Sequence, residues 1–301
     1  MLLSMAQFSA RGWPQAVAAA AGTALLAMFV PLLFPAMWVS AACVGMPTLR
    51  HGWLSGARIG VVAFIMVAAV LLLTAGGYAP ALVVLLGVWL PMLLVCAVLR
   101  STISLQWALL TAAGLGALVV IGSYGVLGDP VAWWRSQLAV FTPAFEQLGV
   151  TGVTVDALLT AMARSMTPGL GMMLCVWTVL GLLLARAWQA GLYNPGGFGT
   201  EFRALRFGKK TALVAVGLWL LGELAGWPLL LSLGWVLGVL FALQTLAVGH
   251  AAVHARRMGI GWLIALYVLL VLAVPGIYPI VVFGMVDNFI DVRKRWRHAS
   301  A

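Results

Sequence analysis

Three polar residues stand inside long apolar stretches of the sequence and are its candidates for chemistry: Glu223, Asp287 and Asn288. A charged or polar group within a membrane is energetically expensive, so each such residue is a candidate for function. Asp287 shares a helix face with Asp291, which stands four residues before Arg295 and is explained by an ion pair at the membrane boundary. We therefore predict that Glu223, Asp287 and Asn288 contact a polar ligand inside a helical bundle. For Glu223 an alternative stays open, because a side chain near the outer end of its helix can extend to the interface.

A second pattern, His250 and His254, has the i, i+4 spacing with which one helix face can chelate a metal ion. The sequence offers no third ligand nearby, and Arg256 and Arg257 would repel a cation. Histidines that interact favourably with the dipole at a helix C-terminus are the better interpretation. No serine–histidine–aspartate arrangement, pair of catalytic carboxylates or phosphate-binding glycine loop is recognisable. We therefore expect no enzymatic activity, no metal and no other cofactor.

The composition indicates which kind of scaffold must position these residues. Of the 301 residues, 64% are hydrophobic and only 8% are charged, and the mean hydropathy is +1.10. A soluble domain contains roughly 25% charged residues, so the composition predicts an integral membrane protein. The apolar stretches are too long for the ~10-residue alternating strands of a membrane barrel. We predict an all-α transmembrane bundle that forms a single domain over residues 1–301.

Apolar stretches of about 20 residues each predict the membrane-spanning helices. Eight are clear: 14–33, 58–75, 79–99, 105–127, 168–188, 210–226, 228–249 and 259–275. Two shorter stretches, 36–49 and 277–290, decide between eight and ten crossings. If both cross, every Lys and Arg except Arg135 and Arg164 falls on one side. Because basic residues collect in cytoplasmic loops, we predict ten crossings in a bacterial inner membrane, with both termini in the cytoplasm. The same rule explains the net charge of +10, so we predict no nucleic-acid partner.

Residues 128–167 form one long segment that the ten-crossing arrangement places on the outer side. Asp129 followed by Pro130 predicts a helix start, since the carboxylate caps the first turn and proline presets φ. Apolar residues then recur at helical spacing: Trp134, Leu138, Phe141, Phe145 and Leu148. Pro143 should split that helix, and a second amphipathic stretch around Leu159 should precede the span that starts at Pro168. The segment either covers an outward-facing cavity or, as we favour, lies in the outer interface.

The predicted cytoplasmic loop 190–210 contains a strong turn sequence at Asn194–Gly197, because glycine permits positive φ and proline restricts its neighbour. A short basic amphipathic helix over 201–207 should follow the turn. Arg203 and Arg206 on this helix are predicted to contact either the anionic inner leaflet or a cytoplasmic partner.

A face of small residues marks the first span, where Ala16, Ala20 and Ala24 repeat every four residues. Such a face lets another helix approach closely. The approaching helix belongs either to this chain or, in the functional alternative, to a partner subunit that docks there.

Three stretches resemble the YybS-like family of predicted membrane proteins in its proteobacterial form: LYNPGGFGTEFRALRFG at 192–208, LQTLAVGHAAVHARRMG at 243–259 and VVFGMVDNFIDVRKRW at 281–296. That family is considered similar to the substrate-binding S components of energy-coupling factor transporters. The resemblance implies a helical membrane protein that captures a small ligand and docks to a coupling subunit through an alanine-rich face on its first helix. The chain departs from S components by having more spans and no vitamin-binding motif.

Two functions follow as expectations. The first is an S-component-like subunit of the lipid bilayer that binds an unknown small ligand through Glu223, Asp287 and Asn288 and works with a coupling or ATPase subunit. The second is a non-transport membrane scaffold that recruits envelope or division proteins through loop 190–210. The first predicts that the intramembrane acids are essential, whereas the second predicts that the loop is.

Overall fold

The computed structural model describes residues 2–149, 152–272 and 277–294. Within these ranges the chain forms fifteen α-helices and no strand. The helices are α1 (Leu2–Ala10), α2 (Trp13–Phe29), α3 (Ala36–His51), α4 (Trp53–Ala75), α5 (Ala79–Val84), α6 (Leu90–Thr102), α7 (Leu105–Leu127), α8 (Pro130–Leu138), α9 (Thr142–Gln147), α10 (Val153–Tyr193), α11 (Gly197–Ala204), α12 (Gly208–Ala225), α13 (Pro228–Ala255), α14 (Gly261–Leu272) and α15 (Tyr278–Ile290).

Five helical segments among the described residues are long and apolar enough to cross a membrane: Trp53–Ala75, Ala79–Thr102, Leu105–Leu127, Thr154–Tyr193 and Pro228–Ala255. The second of these joins α5 to α6 through a π-helical turn at Leu85–Trp89. Shorter apolar helices occur in α2, α14 and α15. The all-helical class is thus confirmed, and these lengths and compositions are those of a membrane protein. The numbers of eight and ten crossings stay predictions.

The chain divides into two compact units, each with its own packing. Unit 1 comprises residues 1–112 and 176–206. In unit 1, α2 packs against α3 and α4, and α3 packs against α6. The indole of Trp89 donates a hydrogen bond to Ser40 Oγ (2.9 Å), which donates to the carbonyl of Ala20 (2.7 Å). These bonds satisfy buried polar groups where α2, α3 and the π-helical turn meet.

Unit 2 comprises residues 113–175 and 207–301. Here α13 is central and packs against α12, α14 and α15. α13 and α15 approach most tightly at Gly284, where an added Cβ would overlap the carbonyl oxygen of Phe241. Thr245 on α13 donates its hydroxyl to a carbonyl of α15 (2.6 Å). Close backbone contact and interhelical hydrogen bonds are typical of helix packing in membranes.

The segment predicted to follow Asp129 forms a small layer in unit 2. Asp129 caps α8 as predicted, since its Oδ1 accepts hydrogen bonds from two backbone N–H groups of the first turn (3.0 and 3.1 Å). The predicted split at Pro143 is also confirmed, because a 3₁₀ turn ends α8 and Pro143 stands in the first turn of α9. Leu138 of α8 packs against Leu159 and Ala163 of α10. The two amphipathic stretches thus bury part of their apolar faces against each other, whereas Phe141 and Leu148 are exposed.

The predicted helix start at Pro168 is wrong. Helix α10 runs without a break from Val153 to Tyr193 and contains Pro168 in its interior. An internal proline removes one backbone hydrogen bond and costs roughly 3 kcal/mol. The contact of Leu159 with Leu138 stabilises the helix upstream of the proline, and membrane helices tolerate the missing bond. Segment 128–167 therefore continues directly into a long apolar helix.

Candidate functional site

Asp287 and Asn288 lie near the end of α15 and are almost completely buried, with 0% and 1% of their surface exposed. Oδ2 of Asp287 accepts hydrogen bonds from Gln244 Nε2 (2.8 Å) and from the guanidinium group of Arg293 (2.6 Å). Oδ1 of Asp287 accepts from the backbone N–H of Val292 (3.3 Å). The buried carboxylate therefore has a cationic partner and two neutral donors, which offset the cost of removing it from water.

The amide side chains beside Asp287 fix the start of α12. Gln244 Oε1 accepts from the backbone N–H of Phe207 (3.1 Å), and Asn288 Oδ1 accepts from that of Gly208 (2.7 Å). Asn288 Nδ2 also donates to Gln244 Oε1 (3.2 Å). The N–H groups at a helix N-terminus have no partner within the helix. Gln244 and Asn288 supply those partners from α13 and α15.

We call Gln244, Asp287, Asn288 and Arg293 the buried cluster. The structure brings together two of the three predicted ligand residues and adds Gln244 and Arg293, which the sequence reasoning missed. Gln244 is recognisable in the sequence as an amide in the middle of an apolar helix. Arg293 is recognisable there only as one of the basic residues predicted to be cytoplasmic. In this arrangement the four side chains join the start of α12 to α13 and α15. A ligand contact by Asp287 and Asn288 stays a prediction.

Glu223, the third predicted ligand residue, is not part of the buried cluster. Its side chain is exposed near the C-terminus of α12. Gly208, which Asn288 contacts, lies at the opposite end of the same helix, about 22 Å away along its axis. Glu223 and Asp287 therefore do not form one site.

A cavity of about 420 Å³ opens in unit 1 where three helices end. Its walls come from the C-terminal parts of α3, α6 and α10, from the loop to α11 and from α11 itself. Its lining is Leu49, Leu99, Arg100, Ile103, Arg186, Gln189, Tyr193, Asn194 and Glu201. A cavity of this size is in the range that holds a small molecule. We call it the unit 1 cavity.

Arg186 and Glu201 form an ion pair in the wall of the unit 1 cavity. Arg186 is only 9% exposed, and its Nε donates to Glu201 Oε2 at 2.9 Å while its NH2 donates to Oε1. Gln189 Oε1 accepts a further, longer bond from Arg186 NH1 (3.3 Å). This two-pronged contact is the strongest arrangement for an arginine and a carboxylate. It holds α11 against α10 and leaves the pair electrically neutral.

Two more arginines lie at the unit 1 cavity, Arg100 in its lining and Arg50 in contact with the lining residue Tyr193. Arg100 NH1 donates to the carbonyl oxygens of Leu49 (2.7 Å) and Arg50 (2.8 Å) at the C-terminus of α3. Arg50 donates to the hydroxyl of Tyr193, and its guanidinium carbon lies 4.1 Å from the centre of that ring. Among the described residues, neither Arg50 nor Arg100 has a carboxylate partner. The cavity therefore carries an excess of positive charge.

The sequence reasoning also missed this cavity. Arg186 could have been recognised as a candidate, because it is a charged residue inside the predicted span 168–188. The prediction considered only its contribution to the distribution of basic residues. Arg100 and Tyr193 could not be recognised in this way, since their partners are distant in the sequence. Within the described part of the chain, no three His, Cys, Asp or Glu side chains are grouped to hold a metal ion. The arrangement is suited to binding a polar or anionic molecule.

The alanine face lies inside unit 1. Ala16, Ala20 and Ala24 are at most 1% exposed and belong to the helix that packs against α3 and α4. Packing within this chain, one of the two predicted alternatives, is therefore what the structure shows for these residues. Docking of a subunit on this face has no support, because the face has no free surface in this arrangement.

The predicted basic helix in loop 190–210 is present as α11, but it both starts and ends earlier than predicted. It ends at Ala204, because Leu205 adopts an extended backbone conformation with ψ of 128°. Arg203 on α11 and Arg206 after it are half-buried. The sequence correctly predicted a short helix after the turn, whereas its C-terminal residues belong to the connection with α12.

Comparisons of the chain with protein-family models, with curated proteins and with solved structures found no match.

Proposed function

We propose that this chain is a multi-pass protein of a bacterial inner membrane with ten crossings and both termini in the cytoplasm. The distribution of lysine and arginine supports this topology. Tryptophans that are 57–63% exposed at or near helix ends also support it, since indole rings prefer the headgroup region; they are Trp13, Trp53, Trp107, Trp227 and Trp262. On this topology the unit 1 cavity opens toward the cytoplasm.

The function that the geometry supports best is binding of a small polar ligand in the unit 1 cavity. The observation that carries it is a polar cavity of about 420 Å³, in a chain that is 64% hydrophobic, with a buried and oriented Arg186 in its wall. Rigid polar groups that converge on a cavity are typical of ligand sites. The ligand site we propose is thus distinct from Glu223 and from the buried cluster.

The resemblance to S components suggests that the bound ligand is passed to a transport complex with a coupling or ATPase subunit. The alanine face is buried in unit 1, so contact with such a subunit would have to use another surface. α11 is one candidate, because the ion pair between Arg186 and Glu201 holds it in place. The same surface, with Arg203 and Arg206, also suits the alternative of a scaffold that recruits envelope or division proteins. Purification in mild detergent distinguishes the two by what accompanies the chain: ATPases, or envelope proteins.

Ligand binding is tested by thermal-shift screening of the purified full chain against a library of small polar metabolites. Gln189→Trp places a large ring in the unit 1 cavity, and Gln106→Trp makes the same change at another half-buried position in unit 1, outside the cavity. We expect at least one compound to raise the melting temperature of the wild type and of Gln106→Trp but not of Gln189→Trp. A library without any such compound, or hits that Gln189→Trp retains, would contradict the proposal.

A further inference from the structure

We propose that the ligand of the unit 1 cavity carries a phosphate group, as the headgroup of an anionic phospholipid or as a soluble phosphate ester. This inference rests on the proposed function and specifies its ligand class. It depends on the charge balance of the cavity, on the orientation of its guanidinium groups and on its location at helix ends.

The charge balance favours an anion. Glu201 is the one acid among the lining residues, and it is fully engaged with Arg186. Arg100 in the lining and Arg50 beside Tyr193 remain without a carboxylate partner in the described part of the chain. A site with this surplus attracts a negatively charged ligand.

The orientation of the guanidinium groups favours phosphate. Arg100 is held through NH1 by two carbonyl oxygens of α3, which leaves its Nε and NH2 groups without a partner among the described residues. Arg50 is held by the hydroxyl and the ring face of Tyr193. Guanidinium groups fixed in this way can donate paired hydrogen bonds to the oxygens of a phosphate.

The location favours a ligand at the membrane surface. Arg50 and Arg100 lie in the last turns of α3 and α6, and Arg186 lies near the end of α10. Basic side chains at helix C-termini offset the helix dipole, but that role requires no cavity between the helices. On the ten-crossing topology these helix ends lie at the cytoplasmic headgroup level, where basic pockets between helices bind phospholipid headgroups.

Native mass spectrometry of the full chain in detergent tests the inference with three probes: phosphatidylglycerol, phosphatidylcholine and glycerol 3-phosphate. The variants are Arg100→Gln and Arg50→Gln, and the matched control is Arg58→Gln, an exposed arginine of unit 1 outside the cavity. Arg50 is exposed, so its variant should fold even if loss of the Arg100 bonds to α3 prevents folding of the other. Melting temperatures verify that each variant is folded.

We expect phosphatidylglycerol or glycerol 3-phosphate to bind the wild type and Arg58→Gln equally, and the folded Arg100→Gln and Arg50→Gln variants at least about tenfold more weakly. Binding of the lipid alone identifies a headgroup site, and binding of both probes identifies a site for soluble phosphate esters. Equal binding to all variants, or equal binding of phosphatidylcholine, would overturn the inference. A compound without phosphate that Gln189→Trp loses would leave the proposed function intact and refute the phosphate assignment alone.

Discussion

Asp287 and Glu223 carry the same carboxylate in opposite surroundings, since one is fully buried beside Arg293 and the other is exposed at the end of α12. Asp287→Asn keeps the shape of the side chain and removes the charge that neutralises Arg293 inside the protein. Breaking a buried ion pair typically costs about 3–5 kcal/mol. We expect Asp287→Asn to lower the melting temperature of the purified protein markedly, and Glu223→Gln, the matched control, to leave it unchanged.

An unchanged melting temperature of Asp287→Asn would refute the structural role of the buried cluster. If Asp287→Asn melts like the wild type but abolishes function in cells, Asp287 is a ligand contact, as the sequence predicted. If Glu223→Gln abolishes function, the proposed ligand site in unit 1 is incomplete.

Sequence reasoning at the residue scale identified Asp287 and Asn288 because a polar residue in an apolar stretch is visible without any structure. It missed their partners, because the bond between Gln244 and Asp287 joins α13 to α15 and arises only when the helices pack. It missed Arg100 for the same reason, since the carbonyl of Leu49 that Arg100 contacts lies far away in the sequence. Local pattern shows which residues need a partner, and tertiary packing decides which partner they have.

At the scale of helices, the contact between α13 and α15 depends on Gly284. A Cβ at this position would overlap a backbone oxygen of α13, which cannot move aside as a flexible side chain can. Gly217 in α12 has open space around it and makes a matched control. We expect Gly284→Ala to destabilise the protein by about 1–3 kcal/mol, and Gly217→Ala to change stability little or to raise it by up to about 1 kcal/mol. Thermal unfolding followed by circular dichroism measures both.

Destabilisation by both variants, or by neither, would show that close approach at Gly284 is not what holds α15 on α13. The comparison removes the general effect of replacing a helical glycine by alanine, which both variants share.

Helix positions were predictable because membrane-spanning stretches are long, apolar and separated by polar residues or prolines. Each of the ten apolar stretches is mostly helical where the structure describes it, and several ends agree within a few residues, as at Leu105–Leu127. The start of α10 was missed because a local rule for proline was outweighed by contacts of Leu159 with α8. Composition predicts where an apolar helix occurs, whereas the position at which α10 begins depends on packing.

For the whole molecule, composition predicted the all-helical class but not the division into two units. Each unit combines two segments that are separated in the sequence, so neither appears as a continuous stretch with its own boundaries. The cavity was equally hidden, since its lining comes from four helices and a loop of unit 1. The sorting of basic residues, by contrast, needs only the sequence, and it predicts the topology from which the proposed cytoplasmic opening follows.

Labelling of Gln189→Cys with a membrane-impermeant maleimide tests whether the unit 1 cavity holds water and opens to the cytoplasm. The native cysteines are fully buried and give little background: Cys43, Cys96 and Cys175. Ser136→Cys, at an exposed position of α8 on the predicted outer side, is the control. We predict that Gln189→Cys reacts in inverted inner-membrane vesicles and not in spheroplasts, and that Ser136→Cys does the reverse. Reaction of Gln189→Cys from the outer side, or from neither side, would contradict a water-filled ligand cavity that opens to the cytoplasm.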